Sequence, residues 1–177
     1  MSLSTWNIDA SHSGVHFTVR HMVFAKVRGR FTRFGGAILG ADGDLSAASV
    51  AVEIEADSID TGVVDRDNHL KSPDFFDVAA FPKLSFQSTK VETLGDEKFR
   101  LHGQLTIRGT TRDVVLDGES GGVGKDPWGN QRIGFTAKTS VNRTDFGLKW
   151  NQMLEAGGVL VGEKVEIELE VQAVKAA

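Results

Sequence analysis

The ten residues FRLHGQLTIR at positions 99–108 decide the fold class that this sequence predicts. Every second position in them is apolar or glycine, and every position in between is polar. Successive side chains of a β-strand point to opposite faces, so this period of two predicts a strand with one buried and one solvated face. Strands of parallel sheets are apolar on both faces. The stretch therefore indicates an antiparallel sheet.

The same alternation recurs along most of the chain. Strands are predicted at 13–23, 27–39, 49–56, 83–91, 99–108, 113–119, 132–141 and 163–174. A turn is predicted at 41–44, and irregular stretches at 121–131 and 142–158. About eight antiparallel strands at hairpin-like spacing indicate an all-β barrel or sandwich. A barrel of that size either fills with side chains or encloses one small ligand.

The totals describe an ordinary globular protein. Its 177 residues predict a single domain over 1–177, and a net charge of -4 does not favour a nucleic-acid partner. The absence of cysteine excludes disulfides, thiolate metal sites and cysteine nucleophiles. No apolar run approaches the roughly 20 residues of a membrane span, and the first residues lack the basic and apolar regions of a signal peptide. We expect a cytoplasmic protein without an integral membrane segment.

One segment, 58–81, departs from the strand pattern. It reads SIDTGVVDRDNHLKSPDFFDVAAF and contains clustered charge and bulky aromatic residues, which indicates a short helical insert. The tripeptide Ser-Pro-Asp at 72–74 has the composition of a helix start. Phe75, Phe76 and Phe81 follow it and require an apolar environment, which is either a solid core or a cavity.

The same insert contains the titratable pair Asp67 and His69, which are candidates for a metal site or for acid/base catalysis. Metal sites normally need three or four ligands, and the other histidines show no suitable spacing with this one. We favour a charged helical turn in which Asp65 caps the helix and Arg66 pairs with a neighbouring acid.

A second polar group, DASHS at 9–13, brings aspartate, serine and histidine close together. A hydrolase triad requires these groups to converge on a rigid frame beside an oxyanion hole, and the Gly-x-Ser-x-Gly elbow is absent. The better interpretation is a polar cluster at the start of a strand.

A basic ribbon lies between Asp9 and Asp42, a span without any acidic residue. Its cations are Arg20, Lys26, Arg28, Arg30 and Arg33. Because successive side chains of a strand point to opposite faces, Lys26, Arg28 and Arg30 are predicted to lie together on the outer face. The simplest interpretation is a solvated surface, and the sharper one is a site for an anionic head group or a membrane surface.

Taken in chain order, these motifs resemble the YceI-like family. The central block, RDNHLKSPDFFDV at 66–78, is the most specific part of the resemblance. The other segments that carry it are 9–21, 27–36, 58–62, 81–88, 103–109 and 142–148. The resemblance implies a lipocalin-like, extended antiparallel β-barrel around a long apolar pore, in which members bind polyisoprenoids or related long-chain amphiphiles.

On that basis we expect a non-enzymatic carrier of a long-chain isoprenoid-type lipid, with no catalytic residue, metal ion or cofactor. The residues on predicted inward faces that should line the pore are Phe17, Val19, Phe31, Phe34, Leu84, Phe86, Leu105 and Phe135. Phe75, Phe76 and Phe81 should cover one end. His21, Arg66 and His69 are candidates for contact with the polar end of the ligand.

Two alternatives from other classes stay open. The first is an enzyme that acts on such a lipid through Asp67 and His69, or through His12. The second is a stress-related scaffold protein whose barrel is filled with side chains, which predicts that no cavity is present. A homodimer is also compatible with the sequence.

Overall fold

The computed structural model describes residues 3–41, 44–155 and 157–177. The strands are β1 Leu3–Ile8, β2 Gly14–His21, β3 Ala25–Phe31, β4 Phe34–Ala41, β5 Asp44–Glu55, β6 Ile59–Asp60, β7 Lys83–Gly95, β8 Lys98–Ile107, β9 Thr110–Lys125, β10 Gln131–Asn142 and β11 Val161–Lys175. One α-helix, α1, spans Val64–Lys71, and short 3-10 helices span Ala10–His12, Ala56–Ser58 and Arg143–Phe146. Within these described ranges no helix has the length and apolarity needed to cross a membrane.

The strands form a closed antiparallel barrel. The order around it is β1-β4-β5-β7-β8-β9-β10-β11, and β1 pairs again with β11 to complete the ring of eight. The strand β11 pairs with β2 over residues 161–170 and with β1 over residues 173–175, so that β1 and β2 follow one another along the same edge. The predicted all-β barrel of about eight antiparallel strands is confirmed.

The second strand prediction was wrong in its boundaries. The stretch 27–39 is not one strand, because the chain turns at Thr32 and Arg33 between β3 and β4. There the Thr32 N–H donates to the Ser58 carbonyl (3.1 Å), and the Arg33 carbonyl accepts from the Glu55 N–H (3.0 Å). The corner is therefore fixed by bonds to residues more than twenty positions away.

The loop predicted at 121–131 was also too long. Residues 121–125 extend β9, and the turn is confined to 126–130. The glycines of this stretch remove the apolar alternation, but its backbone still pairs with β10 from Gly122 to Lys125. The strand β1 was not predicted at all. The turn predicted at 41–44 contains residues 42 and 43, which lie outside the described residues.

The insert contains a helix, but its predicted start was wrong. The helix spans Val64–Lys71, and the tripeptide 72–74 ends it. The Ser72 hydroxyl donates to the His69 carbonyl (2.6 Å), and Pro73 follows, where it cannot continue the helical bonding. Arg66 donates to the Thr61 hydroxyl and carbonyl (both 2.8 Å) and not to an acid, so its predicted partner was wrong too.

The two ends of the barrel are built differently. We call the insert end the one that bears residues 61–82, the described residues of 143–155 and 157–160, and the turns at 22–24 and 108–109. The far end bears the turns at 96–97 and 126–130. Two buried clusters follow this division, and Val52 and Leu169 pack against both of them. The core is therefore continuous from one end to the other.

Three glycines on inward faces create room for phenylalanine rings. A Cβ atom on Gly29 would overlap the ring of Phe17, which lies directly opposite on the neighbouring strand. Gly118 has the same relation to Phe99, and Gly103 lies against Phe86. Glycine weakens a strand intrinsically, so its presence inside three strands is explained by this close approach. The three aromatic rings therefore occupy the space that a side chain at each glycine would take.

Candidate functional site

An apolar cavity of about 190 Å³ lies inside the barrel. Residues of both buried clusters line it, and the surface that faces it is apolar. Ten residues that the sequence singled out are among its lining residues: Phe17, Val19, Phe31, Phe34, Phe75, Phe76, Leu84, Phe86, Leu105 and Phe135. A filled barrel predicts no cavity, so this part of the scaffold alternative was wrong.

Four other residues predicted to contact a ligand lie outside the cavity lining: His21, Arg66, His69 and Phe81. His21 ends β2 beside Val161, and Arg66 is bonded to Thr61. The Phe81 ring packs against the turn at Gly109, where a Cβ atom would lie 2.7 Å from Cε1 of the ring. Of the polar groups proposed for the mouth of the pore, Arg66 is thus hydrogen-bonded to Thr61 and His69 to Asp74.

An aromatic cover closes the insert end, and we define it as His69, Phe75, Phe76 and Trp150. The His69 ring lies edge-on to Phe75 (5.0 Å between centroids) and to Trp150 (4.6 Å). Phe76 lies edge-on to Phe31 of the barrel wall at 5.7 Å. Trp150 comes from the stretch 142–158, for which the sequence predicts only an irregular structure. The cover joins two segments that are 75 residues apart in sequence.

Arg143 is a buried cation beside the cavity, and it is 6% exposed. Its guanidinium donates to the carbonyls of Gly162 (2.7 Å), Leu148 (2.6 Å), Trp150 (3.0 Å) and Val161 (3.2 Å). Burial lowers the pKa of Arg143, and the nearby Glu163 charge opposes that shift. Carbonyl dipoles replace the water that a buried charge loses. Arg143 therefore fixes residues 148–150 against the start of β11.

A second arginine, Arg108, links the two covering segments to each other. It lies in the two-residue turn between β8 and β9, with φ of 50°, followed by Gly109 with φ of 73°. Its guanidinium donates to the Gly147 carbonyl (2.7 Å) and to the Pro73 carbonyl (2.9 Å). Neither Arg143 nor Arg108 was chosen from the sequence, because their partners are backbone atoms that carry no sequence signal.

The acid/base pair proposed in the insert is not assembled. Asp67 accepts from the Thr61 N–H (2.9 Å) and the Thr61 hydroxyl (2.6 Å), which fixes the entrance to α1. The His69 ring interacts with Asp74 instead (2.9 Å). Positions two apart on a helix face different directions, which separates the pair. Among the described residues, no group of three or more histidine or carboxylate side chains is placed to hold a metal ion.

The group at 9–13 also lacks the geometry of a triad. The Ser11 hydroxyl donates to Asp9 (2.6 Å) and contacts His12 Nδ1 (3.2 Å), and Asp9 contacts that same nitrogen (2.9 Å). In a triad the serine and the acid bind opposite ring nitrogens. Arg132 donates to Asp9 (2.9 Å), and this bond, with those from Ser11 and His12, holds the pKa of the Asp9 carboxyl well below its usual range. The cluster joins β10 to the corner between β1 and β2.

Comparisons with known proteins agree with this architecture. The sequence model of the YceI-like domain matches residues 6–173. A UPF0312 protein of Staphylococcus aureus is 35% identical over 171 residues, which cover 96% of this chain and 97% of that protein.

Two solved structures share the fold. BcnA of Burkholderia cenocepacia has a TM-score of 0.82 at 20% identity, covering 93% of this chain and 98% of that one. A polyisoprenoid binding domain from Saccharophagus degradans, implicated in plant cell wall breakdown, has a TM-score of 0.68 at 14% identity, covering 97% and 98%.

Proposed function

The chain belongs to the YceI-like domain family, and we propose that it is a non-enzymatic carrier that binds a long-chain isoprenoid-type lipid in the cavity of its barrel. The observation that carries this proposal is the continuous apolar lining, which extends through both buried clusters. Burial of hydrocarbon contributes about 0.8 kcal/mol per CH₂ group, so such a ligand needs length and apolar surroundings rather than reactive groups. The similar polyisoprenoid binding domain supports the ligand class.

The size of the cavity adds a condition to the proposal. A volume of about 190 Å³ is close to that of engineered cavities that hold one benzene-sized molecule, and below the roughly 300–1,000 Å³ of ligand pockets. A long chain therefore enters only if lining side chains move. Phe76 and Leu70 are suited to this movement, because they are partly buried and belong to the insert rather than to the barrel wall.

The first test identifies the ligand. The protein is purified without detergent and analysed by native mass spectrometry, and bound material is then extracted into organic solvent. A reproducible long-chain adduct, or uptake of an added isoprenoid quinone, is the expected result. Repeated absence of both would overturn the proposal.

The second test locates the ligand inside the barrel. Ala137 faces the cavity from β10, and Ala137→Phe fills part of it. Its neighbour Thr136 faces outward, so Thr136→Phe adds the same ring to the same strand outside the cavity. We expect Ala137→Phe to lose lipid uptake and Thr136→Phe to keep it, with both variants checked for folding by circular dichroism. Equal uptake by the two folded variants would place the lipid elsewhere.

A further inference from the structure

The hairpin that joins β2 to β3 has an exposed apolar tip at the insert end. Its turn residues are Met22, Val23 and Phe24, and Phe24 is 80% exposed. Met153, which is 84% exposed, lies in the neighbouring loop. That loop reaches the tip through a bond from the Met22 N–H to the Leu160 carbonyl (2.8 Å). Exposed apolar side chains that collect at one place mark an interaction surface.

The backbone of the tip is strained and fixed. Met22 has φ of 53° and Val23 has φ of 70°, a conformation that a β-branched residue rarely adopts. The Val23 carbonyl accepts from Arg20 (3.5 Å), and the Val23 side chain packs so closely on Gly158 that a Cβ atom there would lie 2.7 Å from it. Strain of this kind persists where the surroundings hold it, and it is often found at functional sites.

Three exposed cations lie directly behind the tip. Arg20 and Lys26 are directly opposite each other in the β2–β3 ladder, and Arg28 lies opposite Thr18. On its other side Arg20 is next to Gly162, which has no side chain. No ion pair within the described ranges includes these three cations.

Acids on the adjoining strands have partners of their own, and Glu163, in the β11 bulge opposite Arg20, accepts a hydrogen bond from Asn142 (3.5 Å). Asp60 pairs with Arg30 (3.5 Å), and Glu166 with Lys164 (3.8 Å). Like charges that lie directly opposite each other in a ladder repel. An anionic partner on this face therefore reduces the electrostatic repulsion between Arg20 and Lys26.

We propose that the tip at 22–24, together with Arg20, Lys26 and Arg28, docks the barrel on the surface of an anionic phospholipid bilayer. The apolar tip inserts at the boundary between head groups and acyl chains, and the three cations meet the lipid phosphates. This orientation turns the insert end, with the aromatic cover and the cavity behind it, toward the bilayer. The proposed docking does not depend on which ligand the cavity binds.

The test is cosedimentation of the full chain with sucrose-loaded vesicles, made either of equal parts phosphatidylglycerol and phosphatidylcholine or of phosphatidylcholine alone. We expect binding to the anionic vesicles that weakens in high salt, and little binding to the neutral ones. Lys26→Glu with Arg28→Glu should lower the partition coefficient roughly thirtyfold or more, because two attractive charges are lost and two repulsive ones are added. Phe24→Ser should lower it about fivefold, because the largest apolar group of the tip is removed.

Matched controls lie elsewhere on the barrel. Trp128 is 81% exposed in the turn at 126–130 of the far end, and Lys138 is exposed on β10. Trp128→Ser and Lys138→Glu should stay within about twofold of the unmodified protein. Equal losses for Trp128→Ser and Phe24→Ser would overturn the assignment of the tip.

Two further outcomes would also overturn the proposal. One is complete displacement from anionic vesicles by millimolar inorganic phosphate, which indicates a small-anion site instead of a bilayer surface. The other is a change from dimer to monomer in Phe24→Ser, measured by light scattering, without any change in vesicle binding. That result would assign the tip to an interface between two copies of this chain.

Discussion

The far end and the insert end of the barrel reach similar burial by different means. At the far end, side chains of the barrel strands themselves pack against one another, among them Trp6, Phe99, Leu101 and Leu116. At the insert end, two separate segments cover the opening, and arginines bonded to backbone carbonyls hold them. Removing a strand side chain at the far end disturbs the barrel itself. Moving a cover requires only that a few contacts between segments break.

This difference indicates which end opens. Segments joined by few contacts unfold locally at lower free energy than the strands of a core. We therefore expect the proposed lipid ligand to exchange at the insert end, while the far end maintains the barrel.

The largest expected effect separates the two ends directly. Phe99→Ala at the far end should lower the free energy of unfolding by about 3–5 kcal/mol in urea denaturation, because it leaves a cavity among barrel strands. Phe76→Ala in the aromatic cover should cost less, since Phe76 is already partly exposed, and should accelerate the release of bound lipid. A greater loss of stability for Phe76→Ala than for Phe99→Ala would contradict the division of roles.

The next effect concerns the buried cation of the insert end. Arg143→Met should cost about 2–4 kcal/mol of unfolding free energy, because several buried carbonyl groups lose their donor at once. Arg143→Lys keeps the charge but has no planar fork, so it should recover only part of the loss. Thermal denaturation followed by circular dichroism measures both variants. Full recovery of the unfolding free energy in Arg143→Lys would mean that the positive charge alone, and not the four hydrogen bonds to carbonyl groups, fixes the loop.

A smaller effect tests the link between the two covering segments. Arg108→Met removes the bonds to Gly147 and Pro73 and should cost about 1–2 kcal/mol. Amide hydrogen exchange should speed up in 61–82 and 143–160 while the far end stays protected. Arg112→Met is the control, because Arg112 makes one exposed bond to the same loop, at the Asp145 carbonyl (3.1 Å). Equal exchange in both variants would show that Arg108 does not hold the cover.

The smallest effect belongs to the far end and depends on pH. Hydrogen bonds from Arg132, and from backbone N–H groups of the turn at 126–130, lower the pKa of Asp126 from 3.8 to about 2. A carboxyl whose pKa is lowered by folding stabilises the protein above pH 3.8, and this contribution disappears as the pH falls toward 2. Asp126→Asn should therefore be less stable than the unmodified protein at neutral pH. The difference should shrink below pH 3.8, as measured by urea denaturation across that range; a constant difference would exclude the ionisation as its cause.

Much of the barrel was predictable because strand periodicity is local. The alternation at 99–108 and its equivalents gave the antiparallel class, and strand parity predicted inward faces for residues such as Phe17 and Leu105 that do line the cavity. The strand β1 was missed because it is short and pairs with partners far along the chain, at residues 37–41 and 173–175. The start of the helix was misplaced because Ser-Pro-Asp has the composition of a cap at either terminus.

The sequence by itself determined the strands, their faces and the family resemblance, since each depends on the order of neighbouring residues. Only the tertiary structure decided that Phe75 and Phe76 line the cavity while Phe81 does not, and that Trp150 completes the cover. It also decided that Arg108 and Arg143 bond to carbonyl groups and not to acids. Every residue carries a carbonyl group, so the choice among them depends on how distant segments meet, which no local pattern encodes.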